Sequence, residues 1–144
     1  MLFGAAIVSI IKNPILAIVL ALLGHYALDI FPHIEYTIHN IRSKQWKKSL
    51  PDWLKVMLDF LLGILIIFLF SKNQPIIYIC SFVALIPDAL TLVGDIFPNR
   101  LLSIHNYIHT QKIHYLTKQK HFPVFWKVFS QVMVFMISIL LLTI

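Results

Sequence analysis

Charged residues are scarce in this chain. Asp, Glu, Lys and Arg make up 12% of its 144 residues, about half of the fraction that is usual in soluble domains. Hydrophobic residues make up 59%, and they stand in runs that are too long for the core of a small soluble domain. The composition predicts an integral membrane protein whose main partner is the lipid bilayer.

Cysteine is almost absent as well. The single Cys80 excludes an intramolecular disulfide and a cysteine-rich zinc site. No basic residue precedes the first apolar stretch, residues 1–11, so we do not expect a cleavable signal peptide.

Positive charge is concentrated in two segments. Ten of the twelve Lys and Arg residues lie in or beside residues 42–55 and 100–127. Clustered loop cations set the membrane topology and contact anionic lipid headgroups. No basic motif interleaved with aromatic residues accompanies them, so we expect no nucleic-acid partner.

Four apolar stretches predict membrane spans. They cover residues 14–31, 51–70, 76–97 and 122–144. Residues 1–11 are too short to cross a bilayer, which takes about 20 residues. They either re-enter the membrane, lie on its surface, or form the first part of a helix kinked at Pro14. The predicted fold is an all-α membrane bundle of about four spans, with residues 1–144 as a single domain.

A duplicated motif divides the chain into two halves. Asp-Ile-Phe-Pro, followed after five residues by Ile-His-Asn, begins at Asp29 and again at Asp95. The motif predicts two tandem repeats, residues 1–71 and 72–144, each with two spans and the same orientation. Both basic segments then lie on one face, which the positive-inside rule makes cytoplasmic. We expect a multi-pass protein of the inner membrane.

Histidines and carboxylates at helical spacing predict a metal site. His25 and Asp29 stand four residues apart on one helical face, as do His105 and His109. Asp88 interrupts the third apolar stretch, and an ionisable group at that depth requires a partner. Each pair could instead be a hydrogen-bonded helix end or a polar surface helix. Carboxylates gathered without a cation would repel each other, however, so we predict a divalent metal, with Zn2+ as the expected ion.

Three further residues are candidates for acid–base chemistry. Asp95 or Asp59 would act as the general base, and His33 would orient the substrate or transfer protons. An ion pair with Lys55 is the simpler interpretation of Asp59. Asp52 is expected to serve only as a cap or first-turn acid of the second span.

The other polar residues near these motifs are predicted to be peripheral. His114 and His121 are expected on the surface. Glu35 and His39 follow the first Asp-Ile-Phe-Pro motif, and the second repeat matches only His39 with a histidine. Neither is therefore assigned a role.

Three short motifs resemble a known family. Gly24-His25-x3-Asp29, Ala84-Leu-Ile-Pro-Asp88 and His105-x3-His109 resemble elements of the YdjM-like inner-membrane proteins, which are classed as metal-dependent hydrolases. A more distant similarity is to zinc-dependent phospholipases and nucleases. The resemblance implies a membrane-bound hydrolase with five metal ligands, namely His25, Asp29, Asp88, His105 and His109.

Three functional hypotheses follow. The first is a metal-dependent hydrolase with its site at the cytoplasmic membrane boundary, acting on a lipid phosphoester or similar amphiphile. The second is a transporter of metal ions or protons, because repeats, broken helices and intramembrane acids are typical of transporters. A transporter with only four spans would have to form a homo-oligomer to enclose a transport path. The third is a non-enzymatic membrane assembly protein.

Overall fold

The computed structural model describes residues 1–114 and 123–144, and in these residues the fold is entirely helical, without strands. The eight α-helices are α1 (Leu2–Ile10), α2 (Pro14–Asp29), α3 (His39–Arg42), α4 (Leu50–Phe70), α5 (Pro75–Val83), α6 (Ile86–Ile96), α7 (Arg100–Tyr107) and α8 (Val124–Thr143). A 3-10 turn covers Trp46–Lys48 and a π-helical turn covers Ile108–Ile113. The all-α prediction is confirmed. The prediction for His121 lies outside the described residues.

Two of these helices are long and apolar enough to cross a membrane. They are α4, with 21 residues, and α8, with 20 residues. Helices α5 and α6 would add a third span if they cross together, although they are bent by 46° at their junction. Helix α2 has 16 residues, fewer than the about 20 that a span needs. Two or three crossing segments fit a membrane protein, and the four-span prediction stays a prediction.

Prolines begin most of the apolar helices. They occupy the first turn, where a missing N–H costs no helical hydrogen bond. These prolines are Pro14, Pro51, Pro75 and Pro87. Because Pro87 starts α6, the third predicted span consists of two helices with the break at residues 84–85.

Helix α1 has only nine residues, as does α5, and it is the most buried of the apolar helices. It packs against α2, α5 and α8, and Ala5 and Ala6 are completely enclosed. Small residues allow this, as is usual where membrane helices cross. A Cβ on Gly4 would stand 2.7 Å from the carbonyl oxygen of Cys80 and 2.6 Å from the Cβ of Ala84.

Helix α1 folds back along α2 as a helical hairpin. The ring of Phe3 lies against Gly24, near the far end of α2, and Ile7 packs with Ala17 and Ala21. One continuous kinked helix would hold Phe3 and Gly24 about 30 Å apart. The hairpin therefore excludes one continuous kinked helix, and re-entry into the membrane stays a prediction.

Asp52 fastens the polar segment between α2 and α4, residues 30–49, to α4. It lies in the first turn of α4, as expected, but its carboxylate caps a different helix. Oδ2 accepts hydrogen bonds from the backbone N–H groups of Asn40 (2.8 Å) and Ile41 (3.2 Å), at the start of α3. Helix α8 holds the same segment from another side, because Gln131 donates to the carbonyl of Ile34 at 2.9 Å.

Because α1 and α5 lie so close together, a single methyl group added at Gly4 should destabilise the folded protein. Gly4→Ala should lower the free energy of unfolding by about 1–3 kcal/mol, because the backbone of Cys80 blocks the new Cβ. Gly63→Ala is the matched control, since its Cβ would meet only the flexible end of the Met1 side chain, with Sδ at 2.7 Å. Thermal unfolding of the detergent-solubilised protein measures both, and equal melting temperatures would contradict this packing.

Candidate metal centre

Four side chains from three separate segments bring their ligand atoms together. His25 and Asp29 lie in the last turns of α2, Asp88 lies in the first turn of α6, and His109 lies in the π-helical turn. One ligand atom from each is within 4.8 Å of all the others. These four residues are among the five ligands predicted from the sequence.

The distances within this group suit the ligands of one small cation. Oδ2 of Asp29 lies 3.1 Å from Nε2 of His25 and 3.0 Å from Nε2 of His109. The two ring nitrogens are 3.3 Å apart, and Oδ1 of the more exposed Asp88 is 3.7 Å from Nε2 of His25. Tetrahedral ligands with bonds of about 2.0–2.1 Å lie about 3.3 Å from one another. Little adjustment is needed to hold an ion.

Hydrogen bonds behind His109 orient its ring toward the group. The Thr91 hydroxyl donates to the carbonyl of Pro87 at 3.1 Å and lies 3.1 Å from Nδ1 of His109. In this arrangement the hydroxyl oxygen accepts from Nδ1–H, and the lone pair of a neutral His109 stands on Nε2. That lone pair faces Asp29 and His25. Ligand histidines usually have such a partner on the other nitrogen.

His105 lies beside the group without adding a ligand atom to it. Its Nε2 donates to the carbonyl of Pro87 at 3.1 Å, and its ring stacks on His109 with 5.5 Å between centroids. The four-residue spacing does bring the two rings together. However, the ligand role predicted for His105 has no support in its position, because its Nε2 is taken by the backbone of α6.

The π-helical turn brings His114 to the same centre. In an α-helix, His114 would lie half a turn around the axis from His105, and this spacing is the reason for the predicted surface position. In the wider turn, the N–H of His114 bonds to the carbonyl of His109 at 3.3 Å, and the two rings lie 5.0 Å apart. Nε2 of His114 is 3.3 Å from Oδ2 of Asp29. His114 is buried, so the surface prediction is wrong.

Glu35 connects His114 with His33 at the edge of the centre. Its Oε1 lies 2.8 Å from Nδ1 of His114 and 3.2 Å from Nε2 of His33. His114 and His33 hold the pKa of Glu35 well below its usual range. The carboxylates of Asp29 and Glu35 raise the pKa of His114 to about 9. His33 therefore lies near the centre, together with Glu35, to which the sequence assigned no role.

The two predicted general bases lie elsewhere. Oδ2 of Asp95 is 3.0 Å from Nε of Arg42, which ties α6 to α3. Asp59 is exposed on α4, and Lys55, its expected partner, contacts Asp52 at 3.8 Å instead. Among the described residues, neither Asp95 nor Asp59 belongs to a group of converging ligand atoms. The geometry gives no support to a general-base role for either.

Two further residues, Tyr26 and Thr91, contact the histidines of the centre, and no pattern in the sequence predicts these contacts. Tyr26 presents its ring to His25 and His109, with centroid distances of 5.6 and 5.8 Å. Thr91 reaches His109 only because α6 packs against α7, which leads directly into the π-helical turn. A threonine or tyrosine in an apolar helix is too common to be singled out without such contacts.

No protein-family model, curated protein or solved structure matches the chain. The function is therefore inferred from the arrangement of these side chains, and the resemblance to the YdjM-like family remains a proposal.

The hydrogen bond behind His109 leads to a prediction. Thr91→Val should weaken the binding of a divalent cation by about 10–100-fold, because His109 loses the partner that orients its ring. Thr91→Ser retains the hydroxyl and should restore tight binding. Competition with a fluorescent chelator measures the affinity. Equal affinities for the valine and serine variants would exclude this role.

Proposed function

We propose that this chain is a membrane-embedded, metal-dependent hydrolase that holds a divalent cation between His25, Asp29, Asp88 and His109. The observation that carries the proposal is the convergence of these four ligand atoms from three segments of the chain. Two imidazoles and two carboxylates suit Zn2+, which is the cation that we propose, and a water molecule would join them as a further ligand or take the place of the exposed Asp88.

In the proposed site, the ion would activate water and substrate, and the protein side chains would admit the substrate and transfer protons. A bound divalent cation would lower the pKa of a water molecule and polarise a phosphoryl or acyl oxygen. Asp88, whose side chain is 60% exposed, marks the open side where a substrate would approach. His33, Glu35 and His114 form a path of short contacts from Asp29 outward, and in a centre that holds a single ion such a path suits proton transfer.

The surroundings of the centre favour an amphiphilic substrate. Helix α2 is apolar and ends at Asp29, and the polar segment that contains His33 and Glu35 follows directly. A lipid phosphoester has the same division between apolar tail and polar head. Exposed Lys47 and Lys48, farther along this segment, would attract an anionic headgroup.

The proposed membrane arrangement has four spans in two tandem repeats, residues 1–71 and 72–144. Helices α4 and α8 would cross directly, and α2 and the bent pair α5–α6 would provide the other two spans. The basic segments would face the cytoplasm of a cell whose inner membrane holds the protein. The motif resemblance to the YdjM-like family supports the same hydrolase assignment.

A transporter of metal ions or protons is the second candidate. The 46° bend between α5 and α6, with Asp88 just after it, favours this alternative. Broken helices with acidic residues at the break commonly form ion sites in transporters. More than one copy of the chain would be required to enclose a transport path, so this function predicts a homo-oligomer.

Metal content and hydrolysis measured together test the hydrolase. The purified protein should retain a divalent cation and cleave phospholipid phosphoesters in mixed micelles, and EDTA should abolish the cleavage. His109→Ala should lose both the ion and the activity. His39→Ala, at an exposed histidine outside the centre, should keep both.

Two outcomes would reject the hydrolase. If the purified protein holds no metal at neutral pH, the hydrolase is rejected, because the proposed reaction depends on a bound cation. Retained metal without phosphoester cleavage, combined with ion uptake into proteoliposomes, would favour the transporter instead.

A further inference from the structure

We propose that a second divalent cation binds next to the first, held by His33, His114 and the shared carboxylate of Asp29. This inference rests on the proposed function, because it extends the same centre to two ions. One ligand atom from each of the three residues lies within 4.8 Å of the other two. Asp29 belongs to both groups of ligands, whereas His33 and His114 belong only to the second.

The hydrogen bonds of His33 leave one ring nitrogen available. Its Nδ1 donates to the carbonyl oxygen of Phe31 at 2.9 Å, and a carbonyl can only accept. A neutral His33 therefore has its lone pair on Nε2. That nitrogen lies 3.2 Å from Oε1 of Glu35, so a neutral His33 would place two acceptors face to face. Either a proton on Nε2 or a divalent cation beside the two atoms removes this repulsion.

His114 stands between two carboxylates. Nε2 lies 3.3 Å from Oδ2 of Asp29, and Nδ1 lies 2.8 Å from Oε1 of Glu35. The residue is only 7% exposed, yet among the described residues Nδ1 has no partner in hydrogen-bond geometry. An imidazole in this position either carries a proton on both nitrogens or binds a cation with one of them.

Asp29 is placed to bridge two ions. Its Oδ2 lies within 3.3 Å of histidine nitrogens from both groups, namely His25, His109 and His114. A carboxylate has two oxygens and can give one to each ion, as in sites where two metals lie about 3.5–4 Å apart. Such pairs contact both the attacking and the leaving oxygen of a phosphoester, so a second ion would favour phosphoesters over acyl substrates.

The second group is held in place before any ion binds. Helix α8 fixes the backbone on both sides of His33, because Ser130 donates to the carbonyl of Pro32 at 2.5 Å and Gln131 donates to that of Ile34 at 2.9 Å. The π-helical turn fixes His114 through its backbone hydrogen bond to His109. Preorganised ligands of this kind bind an ion without a large ordering cost.

Metal stoichiometry tests the second site. The intact protein in detergent is loaded with Zn2+, desalted and analysed for metal and protein content. We expect about two ions per chain for the unchanged protein and for His39→Ala, and about one ion for His33→Ala and for His114→Ala. His33 lies at the edge of the centre, so its variant tests the site even if His114→Ala fails to fold.

The outcomes separate this inference from the proposed function. One ion per chain, unaffected by His33→Ala, would overturn the second site and leave the hydrolase standing, with a protonated His114 in place of the ion. No ion in the unchanged protein would overturn both. Loading with Mn2+ provides a second readout, because two neighbouring ions should give a magnetically coupled spectrum that His33→Ala converts to that of a single ion.

Discussion

The carboxylate of Asp29 is the point on which the arrangement of this protein depends. It ends α2, and one of its oxygens lies within 3.3 Å of the ring nitrogens of His25, His109 and His114. Two of these histidines come from 80 or more residues later in the chain. A carboxylate and several imidazoles can share so small a volume only with protons or a cation among them. The electrostatics of this one group therefore determine what the centre can bind.

Small residues bring the helices close enough to build that centre. Gly4 lets α1 lie directly on the backbone of α5, and Gly24 lets α1 lie on α2. Helix α1 thus holds α2 and α5 at a fixed separation, and α6 begins where α5 ends. The result is that Asp88 stands 3.7 Å from His25. Assembly of the polar centre therefore depends on the packing of the apolar hairpin.

The two copies of the duplicated motif contact different residues in the structure. Asp29 lies at the centre of the histidine group, whereas Asp95, at the same place in the second copy, pairs with Arg42. His39 is exposed, whereas His105 packs on His109. Equal sequence around a helix end does not impose equal surroundings, because the partners come from other segments of the chain.

The sequence by itself determined the helical class, two or three apolar segments that could cross a membrane, and the pairing of His25 with Asp29. These follow from composition and from the 3.6-residue period, which act over a few neighbouring residues. The hairpin of α1 and α2, the contribution of Glu35 and the pairing of Asp95 with Arg42 were decided only by the tertiary structure, since each depends on contacts between distant segments. The position of His114 was decided in the same way. A π-helical turn has the composition of an α-helix, and a single extra residue per turn moves that side chain from the expected surface into the centre.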